Sequence, residues 1–164
     1  MDRKGNLSPL VNKGNHNCFG CSSINSSGLQ MKFFTDGEAL FSWLTVPSHL
    51  CGWDDLAHGG VLAAILDEIM SWTAIHFSKK FSVTRTISCE FLKSVNIGEE
   101  IRVEGRVLEF RANKEATVEG RLYKAEDTLC VKGVGTFRLF TVEAMARLGS
   151  MKEEMIKKFN FMIE

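Results

Sequence analysis

His58-Gly59-Gly60-Val61-Leu62-Ala63-Ala64-Ile65-Leu66-Asp67-Glu68-Ile69-Met70-Ser71-Trp72-Thr73-Ala74-Ile75-His76-Phe77 is the stretch on which the reading of this chain turns. Val61 through Leu66 are apolar without a break, and Ile69, Met70, Trp72, Ala74 and Ile75 continue the character. A run of this length with no proline and no glycine after Gly60 reads as helix rather than strand. The apolarity goes nearly all the way round, which predicts a helix over 61–77 buried on most of its sides. Asp67 and Glu68 interrupt the pattern at its middle. A carboxylate in such a place is costly to bury unless it is paired or used.

On either side of the helix the periodicity is that of strands. Upstream, Leu29–Thr35 and Ala39–Val46 read as two short strands joined by the turn pair Asp36-Gly37. The loop Pro47–Ala57 then leads into the helix. Downstream, Val83–Val95, Glu100–Glu109, Glu115–Lys124 and Thr128–Leu139 carry β-branched and aromatic residues with partial alternation. Gly98-Glu99 and Glu126-Asp127 serve as turns between them. Met145, Leu148, Met151, Met155, Ile156 and Phe159 recur at roughly helical spacing, so the segment 141–164 is expected to be an amphipathic helix. Residues 1–15 read as a flexible lead-in, and 16–140 as the domain proper. Strands grouped on both sides of one long helix make the class α+β, an antiparallel sheet around a central helix.

Bulk composition narrows the partners. Lys plus Arg and Asp plus Glu are 20 each among 164 residues, so no net field recruits nucleic acid or a membrane surface. No stretch reaches roughly 20 continuous apolar residues, and Met1–Asn15 lacks the apolar core of a signal peptide. Five scattered cysteines are not the framework of a disulfide scaffold, which makes the reducing cytoplasm the expected location.

The element order resembles the hotdog fold, and particular residues sharpen the likeness. Cys18-Phe19-Gly20-Cys21, Asn25 and Gly28-Leu29, with Gly52-Trp53, His58-Gly59-Gly60 and Asp67-Glu68, look like the signature of PaaI-like thioesterases in the 4-hydroxybenzoyl-CoA thioesterase superfamily. The resemblance covers about residues 15–140 and implies hydrolysis of an acyl-CoA, with coenzyme A entering as part of the substrate and no separate cofactor. It also implies that Thr84 orients the water or the acid, and that the second glycine, Gly60, polarises the carbonyl. The family's Cys-Phe-Gly-Cys motif is usually metal-free, so no metal is expected. A zinc site at the Cys18–Cys21 pair needs two more ligands: His16 lies very close in sequence, and His49 or Cys51 would have to complete it from afar.

The chemistry follows from the residues themselves as well. A desolvated Asp67 has the raised pKa that suits a general base, and direct attack on the carbonyl is the alternative. Gly59 and Gly60 stand at the helix start, where unpaired N–H groups and the helix dipole favour a developing oxyanion. Gly60 and Asp67 are seven positions apart, about 10 Å at 1.5 Å per residue, too far to act on one carbon. Two antiparallel helices in a symmetric dimer bring one subunit's Gly60 opposite the other's Asp67, so a dimer is the minimum unit and a tetramer is expected. Glu68, about 100° further round, is read as support or as a substrate contact, and His58 as a base or as a hydrogen-bonding support for the helix start. Arg111, Asn113 and Lys114, in the turn after Phe110, are the best local site for coenzyme A phosphates.

Two features complicate the reading. Related thioesterases often carry Asn or Gln six positions before the His-Gly-Gly, where this chain has Gly52; Asp54 and Asp55 nearby are read as helix caps. A non-catalytic acyl-CoA-binding protein and a hotdog dehydratase or hydratase are the competing functions. Trp53, Trp72 and Phe77 are read as core rather than as an acyl channel.

Overall fold

The computed structural model describes residues 7–12, 16–149 and 151–163. Strands β1 (Ser8–Pro9), β2 (Phe34–Thr35) and β3 (Leu40–Thr45) precede helix α1 (Gly59–Ser78). Strands β4 (Phe81–Phe91), β5 (Glu100–Arg111), β6 (Glu115–Lys124) and β7 (Thr128–Phe140) follow it. Helices α2 (Val142–Leu148) and α3 (Glu153–Phe159) come last. All strand pairs are antiparallel in one seven-stranded sheet of order β1-β2-β3-β5-β6-β7-β4. The sheet wraps α1 in the hotdog arrangement.

Leu62, Ile65, Leu66, Ile69, Met70 and Trp72 of α1 pack on Leu40, Ile101, Val103, Val118, Leu122, Val131 and Phe137 of the sheet. The helix can lie this close because the strands beneath it lack side chains where it crosses. A Cβ at Gly105 would stand 2.2 Å from Thr73 Oγ1, which itself donates to Ile69 O at 2.7 Å. One stripe of α1 escapes the core: Gly60 is exposed, and Ala64, Asp67 and Ser71 are half-buried. Burial is therefore less complete around the helix than its composition predicts. By length and a mean hydropathy of 1.2, Gly59–Ser78 is also long and apolar enough to cross a membrane, although its apolar run is not continuous. The average absorbs the two central acids that break the run; in the fold the same residues are the core helix.

Other departures have local causes. The expected strand Leu29–Thr35 shortens to β2 because Gln30 takes a positive φ of 51°. The amides of Leu29 and Met31 bond instead to Phe19 O and Gly20 O, at 2.8 and 2.9 Å. Within the expected lead-in, Ser8–Pro9 pairs with β2, while residues 1–6 and 13–15 lie outside the described residues. The C-terminal segment is helical in two pieces, since Gly149 ends α2 in the left-handed region at φ 62°. Met145 of α2 and Ile156 of α3 close over Phe81 to form a second small core.

Candidate active site

The start of α1 is organised by His58. It takes an extended backbone conformation, and its Nδ1 accepts the Gly60 N–H at 2.9 Å, while its carbonyl takes the Val61 and Leu62 amides. This is a side-chain N-cap, which satisfies a donor that the helix leaves orphaned. The cap is therefore His58, and Asp54 and Asp55 are exposed loop residues rather than caps. Gly52 lies beneath the same imidazole, and a Cβ there would come within 3.2 Å of His58 Cα. The Gly59 N–H has no acceptor among the described residues. Of the two glycine amides, Gly59 is the one ready for an incoming oxygen; at Gly60 a carbonyl must take the bond from His58.

Seven residues on, Asp67 meets β4. Thr84 Oγ1 donates to Asp67 Oδ1 at 2.8 Å, as the resemblance implies. One turn further, Ser71 and Ser82 hydroxyls lie 2.7 Å apart, so α1 and β4 are joined by polar pairs along the half-buried stripe. Desolvation pushes the Asp67 carboxyl above the usual carboxylate range, and the Thr84 hydrogen bond partly offsets it. No cation pairs with Asp67 among the described residues. Gly59 faces β4 too: a Cβ there would touch the Phe91 ring at 3.7 Å. Beside it Leu56, Leu62, Phe91 and Val95 line an open cleft of about 250 Å³.

Glu68 turns the other way. Its Oε1 accepts the Trp72 indole N–H at 3.0 Å and lies 3.8 Å from Cys18 Sγ. Burial, and then the charge of Cys18, push its carboxyl up to about 7. Cys18 is in turn lowered to about 5, chiefly by the hydrogen bond from Cys21, whose own thiol is pushed far up. Glu68 therefore joins the cysteine pair rather than the cleft, an association that no spacing between residues 18 and 68 discloses.

Arg111 and Lys114 lie in the β5–β6 turn, with Ala112 and Asn113 at positive φ. Arg111 bonds to Glu109 Oε2 at 3.1 Å, and the Asn113 carbonyl accepts from Lys80 Nζ at 2.6 Å. Lys80 follows the end of α1, so this basic turn sits at the opposite end of the helix from Gly59 and Gly60. Trp53 is 85% exposed, against the expectation of a core residue, at the tip of a loop closed by the Gly52 N–H on Leu56 O at 2.8 Å. Trp72 is core, stacked on Phe33 at 4.6 Å.

Comparisons with known proteins agree with this fold. Residues 55–131 match the family model described as the thioesterase superfamily. No curated protein is a significant match. Among solved structures, AziG of S. sahachiroi superposes with a TM-score of 0.62 at 16% identity, over 68% of this chain and 91% of its own. PaaI of the E. coli phenylacetic acid degradation operon gives 0.62 at 14% identity, over 68% and 80%. The smu.793 protein of Streptococcus mutans, bound to acetyl CoA, gives 0.57 at 19%, over 63% and 82%. In fold, and in sequence from the loop before α1 into β7, the chain is similar to the hotdog thioesterases.

Proposed function

We propose that this protein is a PaaI-like acyl-CoA thioesterase, working as a cytoplasmic homo-oligomer of at least two subunits and built to a tetramer. The observation that carries the reading is the Asp67 carboxylate. It is desolvated, lacks a cation among the described residues, and is held by Thr84 on an otherwise apolar helix. Such an acid, with its pKa raised by desolvation, is suited to take a proton from water or to attack a carbonyl itself. The amides at the start of α1 supply the oxyanion donors, and nothing beyond side chains, backbone and water is asked of the chemistry.

Two features favour a shared site. β4 is an edge strand of eleven residues that leaves Val83, Ile87 and Phe91 exposed, an unpaired apolar edge that a second copy would cover. The basic turn at Arg111 and Lys114 belongs to the far end of α1, about 27 Å from Gly60 for eighteen residues of helix. It can therefore serve only the helix start of an antiparallel neighbour. Coenzyme A phosphates would lie there, as the acetyl CoA in the streptococcal structure suggests for the ligand class. The five free cysteines accord with a reducing compartment.

A panel of aryl and aliphatic acyl-CoAs, followed by thiol release, tests the activity. Asp67→Asn should lower turnover on the best substrate at least on the order of a hundredfold. Undiminished turnover in that variant, or an active monomer by light scattering, would overturn the mechanism.

A further inference from the structure

The molecule carries a second cluster of reactive groups that hydrolysis does not use. Cys18 and Cys21 lie in the turn that precedes β2, and Glu68 reaches them from α1, fifty residues from Cys18 in sequence. One ligand atom from each lies within 4.8 Å of the others. The resemblance implies a metal-free Cys-Phe-Gly-Cys motif, but Glu68 adds a third ligand here, and we propose that Cys18, Cys21 and Glu68 form a site for a thiophilic divalent cation of the zinc class, which staples the N-terminal loop to the core helix.

The geometry is close to what coordination requires. Zinc binds sulfur at about 2.3 Å and carboxylate oxygen at about 2.0–2.2 Å, which in a tetrahedron puts neighbouring donors about 3.5–3.8 Å apart. Cys18 Sγ and Glu68 Oε1 are 3.8 Å apart already. The loop is shaped to admit the carboxylate, since a Cβ at Gly20, between the two cysteines, would lie 2.2 Å from Glu68 Cδ. Only glycine allows that approach.

Electrostatics gives the cluster a reason to hold a cation. Glu68 is turned into the core beside two sulfurs, and no Lys or Arg pairs with it among the described residues. A half-buried carboxylate beside two sulfurs and without a counter-charge carries a desolvation cost, and a divalent ion held by two thiolates and one carboxylate offsets it. Binding is balanced by release to solvent of the thiol and carboxyl protons that the free cluster still holds. The ligands are already oriented: the Trp72 N–H holds Glu68, and the Cys18 amide donates to His16 Nδ1 at 3.3 Å. With Nδ1 accepting, His16 Nε2 carries the proton and donates to Asn12 Oδ1 at 3.1 Å. His16 therefore orients the loop and leaves the fourth position to water. Cys51, the other cysteine within reach in sequence, is exposed and lies outside the cluster.

The site is independent of the thioesterase reading, and its test involves no hydrolysis. Reduced full-length protein is stripped with a chelator and titrated with Co²⁺ alone, then with Zn²⁺ in competition. The expected result is one equivalent per chain, with a thiolate-to-cobalt charge-transfer band that Zn²⁺ abolishes. Cys18→Ser and Cys21→Ser should each lose the band, and Glu68→Gln should keep it while binding at least tenfold more weakly. Should the cysteine variants fail to fold, alkylation of the wild type decides: Zn²⁺ should slow labelling of Cys18 and Cys21 at least tenfold and leave Cys51 unaffected. The proposal is overturned by cobalt bound without the sulfur band, by a band that survives in the cysteine variants, by unchanged affinity in Glu68→Gln, or by labelling indifferent to Zn²⁺.

Discussion

Thr84→Val isolates the interaction on which the Asp67 chemistry depends. The substitution keeps the β-branched shape on β4 and removes one hydroxyl, which donates to Asp67 Oδ1 at 2.8 Å. A hydrogen bond to a charged group contributes about 1.5–3 kcal/mol when buried. Thr84 is exposed and Asp67 only half-buried, so solvent screening places the effect at the low end, about 1.4 kcal/mol or one pH unit. The bond favours the carboxylate, so its loss raises a pKa that desolvation has already raised. The acidic limb of the kcat/KM profile should therefore move upward by about one unit, with activity below that limb falling roughly tenfold. Stability gives an independent check with a definite sign. Above the Asp67 pKa the variant loses the bond to the carboxylate and is destabilised; below it the carboxyl is protonated and the difference from wild type shrinks. The assay is a pH series of kcat/KM with paired urea melts. A limb that stays in place or moves downward would refute the assignment of Thr84 to Asp67.

Three further perturbations test other links. Gly105→Ala pushes a Cβ to 2.2 Å from Thr73 Oγ1 and 3.1 Å from Ile69 O, forcing α1 off the sheet; urea denaturation should show a loss of about 1–3 kcal/mol. Ile87→Glu places charge on the exposed apolar edge of β4; the protein should remain folded by circular dichroism, scatter as a monomer and lose hydrolysis. His58→Ala removes the imidazole that accepts the Gly60 N–H; thermal unfolding should report about 0.5–2 kcal/mol of lost capping. If His58 only caps, turnover in that variant should fall far less than in Asp67→Asn.

The elements legible in the sequence were those whose pattern is local. The apolar run that begins at Val61 can only be a core helix once strands stand on both sides of it, and Glu115–Lys124 has the bounds its alternation predicts. What periodicity could not reach was set by partners far along the chain. Leu29, Met31 and Phe33 are buried as a strand would bury them, yet their backbone is diverted to the cysteine loop and to Leu10. Trp53 fails for a related reason: an apolar residue in a loop has no period to say which way it points. In the candidate site, Asp67 stands out as a carboxylate on a largely apolar helix and Thr84 only through the resemblance; a hydrogen bond joins the two across α1 and β4. The hydrogen-bonding support expected of His58 is present as its cap on the Gly60 N–H, whereas Asp54 and Asp55, expected as caps from their residue type, stay in the exposed loop.

Adjacent acids on one helix would let a single segment serve both proposed sites. Asp67 and Glu68 are separated by about 100° around α1, enough to send one carboxylate to the exposed edge strand and the other into the core. Their partners differ accordingly: a hydroxyl from β4 for Asp67, and an indole N–H with two sulfurs for Glu68. Burial raises the pKa of both, but at Asp67 the opposing donor is a single hydroxyl and the carboxyl remains open to the side a partner subunit would cover. Glu68 is half-buried like Asp67, but its carboxylate is turned to the Trp72 indole and the cysteine sulfurs of its own chain. Exchanging the two, as Asp67→Glu with Glu68→Asp, would leave the helix charge unaltered but draw the inner carboxylate back from the sulfurs and push the outer one into Thr84. Net charge on the helix is therefore not what either site senses; reach and direction are.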